Sequence, residues 1–147
     1  QEKLLQGKLM VIAPDGWWSK AQLRKPMRLA ELAGAPMIGI AVRDSLGRHL
    51  RSHLQYLNPE PRISIWVQTY QLARALVVDG QGLALVDPFT ALGAGEEALQ
   101  VRTLEPELEV PLYVVSRKGD PLTPIQKTFL EQVRKLSQPF MGHHAAS

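Results

Sequence analysis

Arg43, Asp44 and Ser45 stand together where an apolar run ends and a helical period begins. A guanidinium can pair a carboxylate through two parallel N–H groups, and an aspartate or serine oxygen can take an amide proton of the first helical turn. The other free amides of that turn, backed by the helix dipole, attract an anion. This is binding chemistry. The plainer alternative leaves Ser45 as a helix cap only. Two comparable points follow, Gln68-Thr69 after the run Ile63 to Val67, and Asp87-Pro88-Phe89 after the run Leu83 to Val86. If the preceding runs are parallel strands, all three points share one edge of a sheet, where ligands of open α/β folds lie.

Other constellations carry less chemistry. His49 and His53 have the i, i+4 spacing of a metal-binding pair, but RHLRSHL reads as the polar side of an amphipathic helix and brings neither a glutamate base nor a third ligand. His143 and His144 lie near the end of the chain, and no metal is expected. Gly80 and Gly82 follow a helix and enter a strand, the reverse of a dinucleotide-binding loop. The serines sit in no G-x-S-x-G elbow. No nucleophile, base and oxyanion donor come together, so no catalytic residue, no cofactor and no enzymatic activity are expected.

The elements that must hold the binding points can be read from hydrophobic period. Ile63 to Val67 is strand chemistry after Pro59 and Pro61. Leu72, Ala73, Leu76 and Val77 then cover one face of a helix that Gly80 stops. Leu83 to Val86 is a continuous apolar run of the kind buried on both faces of a parallel sheet. Together they predict a βαβ unit. Upstream, Lys8 to Ala13 predicts a buried strand with no earlier element to pair with, Trp17-Trp18 an aromatic lid, and Arg28 to Ala33 a short helix. Met37 to Val42 predicts a second buried strand, and Leu46, Leu50, Leu54 and Leu57 an amphipathic helix after it. Downstream, Gly93 to Glu97 reads as a loop, Leu99 to Leu104 as an exposed-edge strand and Val110 to Ser116 as a buried strand. Thr123-Pro124-Ile125-Gln126 opens a helix to about Leu136 with Ile125, Phe129, Val133 and Leu136 on its core face. From Pro139 a mobile tail is expected.

Composition agrees with a folded domain. The chain has 147 residues, 45% apolar and 21% charged, enough for a proper core. It has no cysteine, hence no disulfide or thiolate metal site, which fits a reducing, cytoplasmic setting. The net charge of +3 is spread without a basic stripe, so no nucleic-acid surface is expected on this chain. No apolar run approaches the ~18 residues of a membrane span, and QEKLLQGKLM has no signal-peptide core.

Several of these stretches, in this order, are familiar. LARALVVDGQGLALVDPFTA resembles the effector-binding domain of LysR-type transcriptional regulators, as do KLMVIAPDGWW and RLAELAGAPMIGI upstream and LEPELEVPLYVVSRKGDPLTPIQKTFLEQVRKL downstream. The resemblance covers nearly all of residues 4 to 136. It implies an α/β, periplasmic-binding-protein-like (type 2) regulatory domain with its second lobe complete and part of the first. Residues 1–28 would hold the late strand of lobe one and the crossover, 29–111 lobe two, 112–138 the return strand and terminal helix of lobe one, and 139–147 the tail.

A winged helix-turn-helix and the early part of lobe one would precede Gln1. Position by position, the resemblance places effector contacts at Arg43, Asp44, Ser45, Gly47, Thr69, Asp87 and Phe89. It implies a small carboxylated or amino-acid-like effector bound between lobes, control of DNA binding through a domain not in this chain, and self-association as a dimer or tetramer. A solute-binding receptor lobe for transport is the alternative. In place of the family's usual His-Pro the chain carries Trp17-Trp18.

Overall fold

The computed structural model describes residues 1–41, 45–93 and 98–141. Strand β1 (Glu2–Lys8) leads almost directly into β2 (Met10–Pro14). After the short helix α1 (Lys20–Leu23) come β3 (Met27–Arg28), a 3-10 turn over Leu29–Leu32, β4 (Pro36–Ile40) and α2 (Ser45–Leu54). Then follow β5 (Arg62–Val67), α3 (Tyr70–Val78), β6 (Ala84–Val86), α4 (Pro88–Leu92), β7 (Leu99–Glu105), β8 (Glu109–Val114) and α5 (Pro124–Met141).

Two sheet units result. The larger has the order β3-β7-β2-β6, and it continues into β4 and β5 through Leu83. There the Ile38 amide donates to the Leu83 carbonyl at 2.8 Å and the Leu83 amide to the Pro36 carbonyl at 2.9 Å. Gly82 is required at this junction. Its φ is +142°, and a Cβ would sit 2.7 Å from the Pro36 oxygen. β4, β5 and β6 run parallel, while β2 lies antiparallel to both β6 and β7. The predicted βαβ unit is therefore β5-α3-β6, with β4 lying between its two strands. The smaller unit is the antiparallel ribbon β1-β8, against which α5 packs. The chain changes units at Leu9, whose amide donates to the Leu108 carbonyl at 2.8 Å, and changes back at Leu108.

Strict alternation along β2 sorts the core into two layers. Val11 and Ala13 join Leu9, Trp18, Met37, Leu83 and Leu85 on the face covered by α2. Met10 and Ile12 join Ile38, Val67, Ala73, Val77, Ala84, Val86 and Ala91 on the face covered by α3 and α4. Val11, Ile12, Val77 and Val86 are wholly buried, and burial of such a side chain contributes roughly 1.5–3 kcal/mol. Beside Trp18, Arg102 is buried as well. Its guanidinium lies 5.1 Å from the indole centroid, donates to the Lys25 and Pro26 carbonyls at 3.1 Å each, and meets Glu31 at 3.4 Å. It pins residues 17–32 to the sheet. Trp18 is thus the lid predicted from sequence, while Trp17 remains 42% exposed.

Several expectations are corrected. An element does precede the first expected strand, since β1 occupies Glu2–Lys8, but it pairs with β8 about a hundred residues away, and β2 pairs only with the later strands β6 and β7. β2 sits inside the larger sheet, between β6 and β7. Where a short helix was expected over Arg28 to Ala33, β3 (Met27–Arg28) ends and one 3-10 turn follows over Leu29–Leu32. β7 is a covered edge, with β3 alongside its end. β8 is not buried; most of its residues face outward. Helix α5 runs through Pro139 to Met141, where a tail was expected, and its inward residues are Leu130, Val133, Ser137 and Phe140. Ile125, Phe129 and Leu136 point away, 83%, 65% and 71% exposed. The helix is apolar on two sides, so period alone selects the wrong one. The loop expected at 93–97 falls from residue 94 outside the described residues, as do His143 and His144.

Candidate functional site

β4, β5 and β6 end on one rim, at Ile40, Val67 and Val86, and the next helices begin there at Ser45, Tyr70 and Pro88. The β4-β5 ladder gains one more bond at the rim, from the Ala41 amide to the Val67 carbonyl at 2.7 Å. Arg43 and Asp44 lie outside the described residues; Ser45 is the first residue of α2 and Gly47 is in its first turn. Thr69 caps α3, its hydroxyl accepting from the Leu72 amide at 3.2 Å. Asp87 caps α4: Oδ1 accepts from the Thr90 amide at 3.0 Å and Oδ2 from the Thr90 hydroxyl at 2.6 Å. Phe89 turns toward the smaller unit, its ring 5.3 Å from that of Phe140 in α5. The structure therefore places Ser45, Gly47, Thr69, Asp87 and Phe89 on a common rim, with the side chains of Thr69 and Asp87 already engaged as caps.

Behind the rim lies a feature that period and motif do not show. A cavity of about 630 Å³ separates α2 from the sheet. Leu46, Leu50 and Leu54 of α2 roof it, Met37 and Gly39 of β4 with Ile63 and Trp66 of β5 floor it, and Ala41, Gly47 and Tyr70 bring it to the rim. Gly39 and Trp66 are directly opposite in the parallel ladder. A Cβ on Gly39 would lie 2.5 Å from Cε3 of Trp66, so only glycine lets the indole lie across β4. Trp66 is 54% exposed in consequence. The Arg51 guanidinium stands 5.8 Å from its ring centroid. A glycine inside the run MIGIAV, with a tryptophan in the next strand, is the sequence trace of this arrangement, but it becomes readable only once the register is known.

His49 and His53 do meet on α2, with their Nε2 atoms 3.2 Å apart and their rings edge to face. Among the described residues no group of three His, Asp or Glu side chains converges on a metal position. No helix among them is long and apolar enough to cross a membrane.

Comparison with known proteins agrees with this architecture. The HTH-type transcriptional regulator DgcR of a Pseudoalteromonas species is 26% identical over 131 residues, covering 89% of this chain and 44% of that protein. The CcmR regulatory domain of Synechocystis PCC6803, solved in complex with 2-PG, superimposes with a TM-score of 0.63 at 16% identity, over 93% of this chain and 66% of that one. The effector-binding domain of QuiR in complex with shikimate gives a TM-score of 0.64 at 18% identity, over 94% and 65%. The chain thus spans less than half of the regulator and about two thirds of the solved domains. The shared fold is the periplasmic-binding-protein-like (type 2) α/β fold. The LysR substrate binding domain matches residues 1–138, nearly the whole length, and the chain belongs to that family.

Proposed function

We propose that this chain is the effector-sensing part of a LysR-type transcriptional regulator, taking a small carboxylated or amino-acid-like ligand at the rim of its larger sheet. The observation that carries the reading is the common rim, where three parallel strands end and helices α2 and α3 begin, the place at which a helix offers its first-turn amides to an anion. In this reading Arg43 pairs the ligand carboxylate and Ser45, with Asp44 beside it and the amides through Gly47, holds the same group. Thr69 fixes the start of α3. Asp87 keeps lone pairs beyond those used by Thr90 and so can accept from a ligand ammonium. Phe89 and Phe140 close the apolar side.

Solved relatives in complex with shikimate and with 2-PG support a small-molecule effector. Relatives that are regulators favour sensing over the solute-receptor alternative. The effector would close lobe one over the rim and shift DNA binding by a separate winged helix-turn-helix, in a cytoplasmic dimer or tetramer. The outward stripe Ile125, Phe129 and Leu136 of α5 supports self-association.

The test is a panel of small carboxylates and amino acids titrated against the chain, followed by melting temperature and calorimetry. At least one should raise the melting temperature, and Ser45→Ala should weaken its affinity about tenfold while the unliganded melting temperature moves little. A panel without any shift, or a Ser45→Ala variant that loses stability and keeps its affinity, overturns the reading.

A further inference from the structure

We propose that the cavity beneath α2 is a second ligand site, lying behind the rim and opening to it, which takes a small molecule with a flat apolar body and an anionic head. The inference does not depend on the rim reading. Every wall comes from residues 37–85, so the site is complete within the larger unit and needs no second lobe. At about 630 Å³ it falls within the roughly 300–1,000 Å³ of ordinary small-molecule pockets. Close packing leaves no such space by default. The opposite face of the same sheet is filled.

Two features give the cavity chemical selectivity beyond its apolar walls. The first is the floor. With no side chain on Gly39, the Trp66 indole spreads across β4 and presents a half-exposed ring to the space, a surface suited to a flat partner.

The second is Arg51. Its guanidinium is held over that indole, and among the described residues it makes no ion pair. A guanidinium stacked on an aromatic face still directs N–H groups outward, where a carboxylate can take two of them. Glu60 is the acidic residue of the lining, and it stands in the turn before β5, at the end of the strand away from the rim. The head group at Trp66 is therefore met by positive charge. Gln55, one helical turn after Arg51, adds a neutral donor and acceptor on the same side.

The test uses this chain and three probes of one shape: 1-naphthoate, 1-naphthalenemethanol and 1-naphthylmethylammonium. Calorimetry should show naphthoate binding at least tenfold more tightly than the alcohol, with the ammonium weakest. Arg51→Gln should bring naphthoate down to the alcohol's affinity. Leu50→Trp, which fills the space from the roof, should abolish binding of both. Arg134→Gln, on α5 and away from both the cavity and the rim, should leave naphthoate affinity unchanged. Amide shifts on naphthoate addition should centre on residues 37–41, 46–55 and 63–70. Should Leu50→Trp fail to fold, Trp66→Leu, at an exposed position, supplies the same reading through loss of naphthoate affinity. Absence of naphthoate binding, equal affinity for all three probes, or unchanged affinity in Arg51→Gln overturns the proposal. A rim ligand that binds normally while naphthoate does not would leave the sensing reading intact and remove this one.

Discussion

The two faces of the larger sheet are each covered by a helix of similar length, nine residues in α3 and ten in α2, yet the space under α3 is filled while part of the space under α2 is open. Under α3 the meeting side chains are small: Ala73, Ala84 and Ala91 are buried, and Val77 and Val86 fill what remains. Small residues let a helix sit close to the sheet. Under α2 the helix offers three leucines, but Trp66 spreads across Gly39 between them and the strands, and the helix stands off. A single sheet thus divides two tasks by side-chain size. Its α3 face holds the fold together, and its α2 face keeps room.

That contrast can be broken by mutation. The largest effect belongs to the part of the α2 face that is closed, where Arg102 seals the space beside Trp18. Arg102→Ala would strand the Lys25 and Pro26 carbonyls and loosen Glu31, lowering unfolding free energy by about 3 kcal/mol in urea titration. A loss under about 1 kcal/mol would mean that this half of the face is as slack as the half beneath α2. The next test compares the faces directly. Val77→Ala should lower stability by about 2–3 kcal/mol, because the wholly buried site cannot collapse. Leu50→Ala should lower it by about 1 kcal/mol, since the atoms removed already border empty space. Equal losses would erase the difference.

Small-to-large changes run the comparison the other way. Ala73→Leu pushes three carbons into a packed layer and should cost about 2 kcal/mol. Leu50→Trp should stay within about 0.5 kcal/mol of the parent, because the cavity accepts the ring. A cost of 2 kcal/mol at both positions would show that α2 is packed as firmly as α3.

How much of this was readable without coordinates depends on the range of the interaction. β4 and β6 announce themselves as continuous apolar runs because they are buried in the sheet, β5 shows through its β-branched and aromatic residues, and α2 and α3 follow from leucine and alanine spacing along one chain segment. The caps at Thr69 and Asp87 are equally local. β1 was missed because EKLLQGK is half polar and its partner β8 is remote in sequence. The inward face of α5 was misread because Ile125, Phe129 and Leu136 are as apolar and as regularly spaced as Leu130, Val133 and Phe140, which do pack, and Pro139 looked like a stop although the helix passes through it. The rim was legible, since strand ends and helix starts are sequence features. The cavity was not, because it exists only through the register that sets Gly39 beside Trp66.

The smallest expected effect lies at the rim, where the two faces meet. Asp87 ends the strand β6 and caps α4 on the filled side. Asparagine is about as good an N-cap as aspartate, and its Oδ1 can still accept from the Thr90 amide. The bond from the Thr90 hydroxyl to Oδ2 can reverse, with the new amide donating to the hydroxyl oxygen. Asp87→Asn should therefore change stability by only a few tenths of a kcal/mol. Its effect on binding should be larger and of two signs: without the negative charge a simple carboxylate at the rim gains affinity, and an amino acid, which would lose its ammonium partner, gains less or weakens. Melting temperature together with calorimetry of one carboxylate and its α-amino analogue reads both. A drop of several degrees with no change in either affinity would assign Asp87 wholly to the packed face, and the rim would then begin at α3.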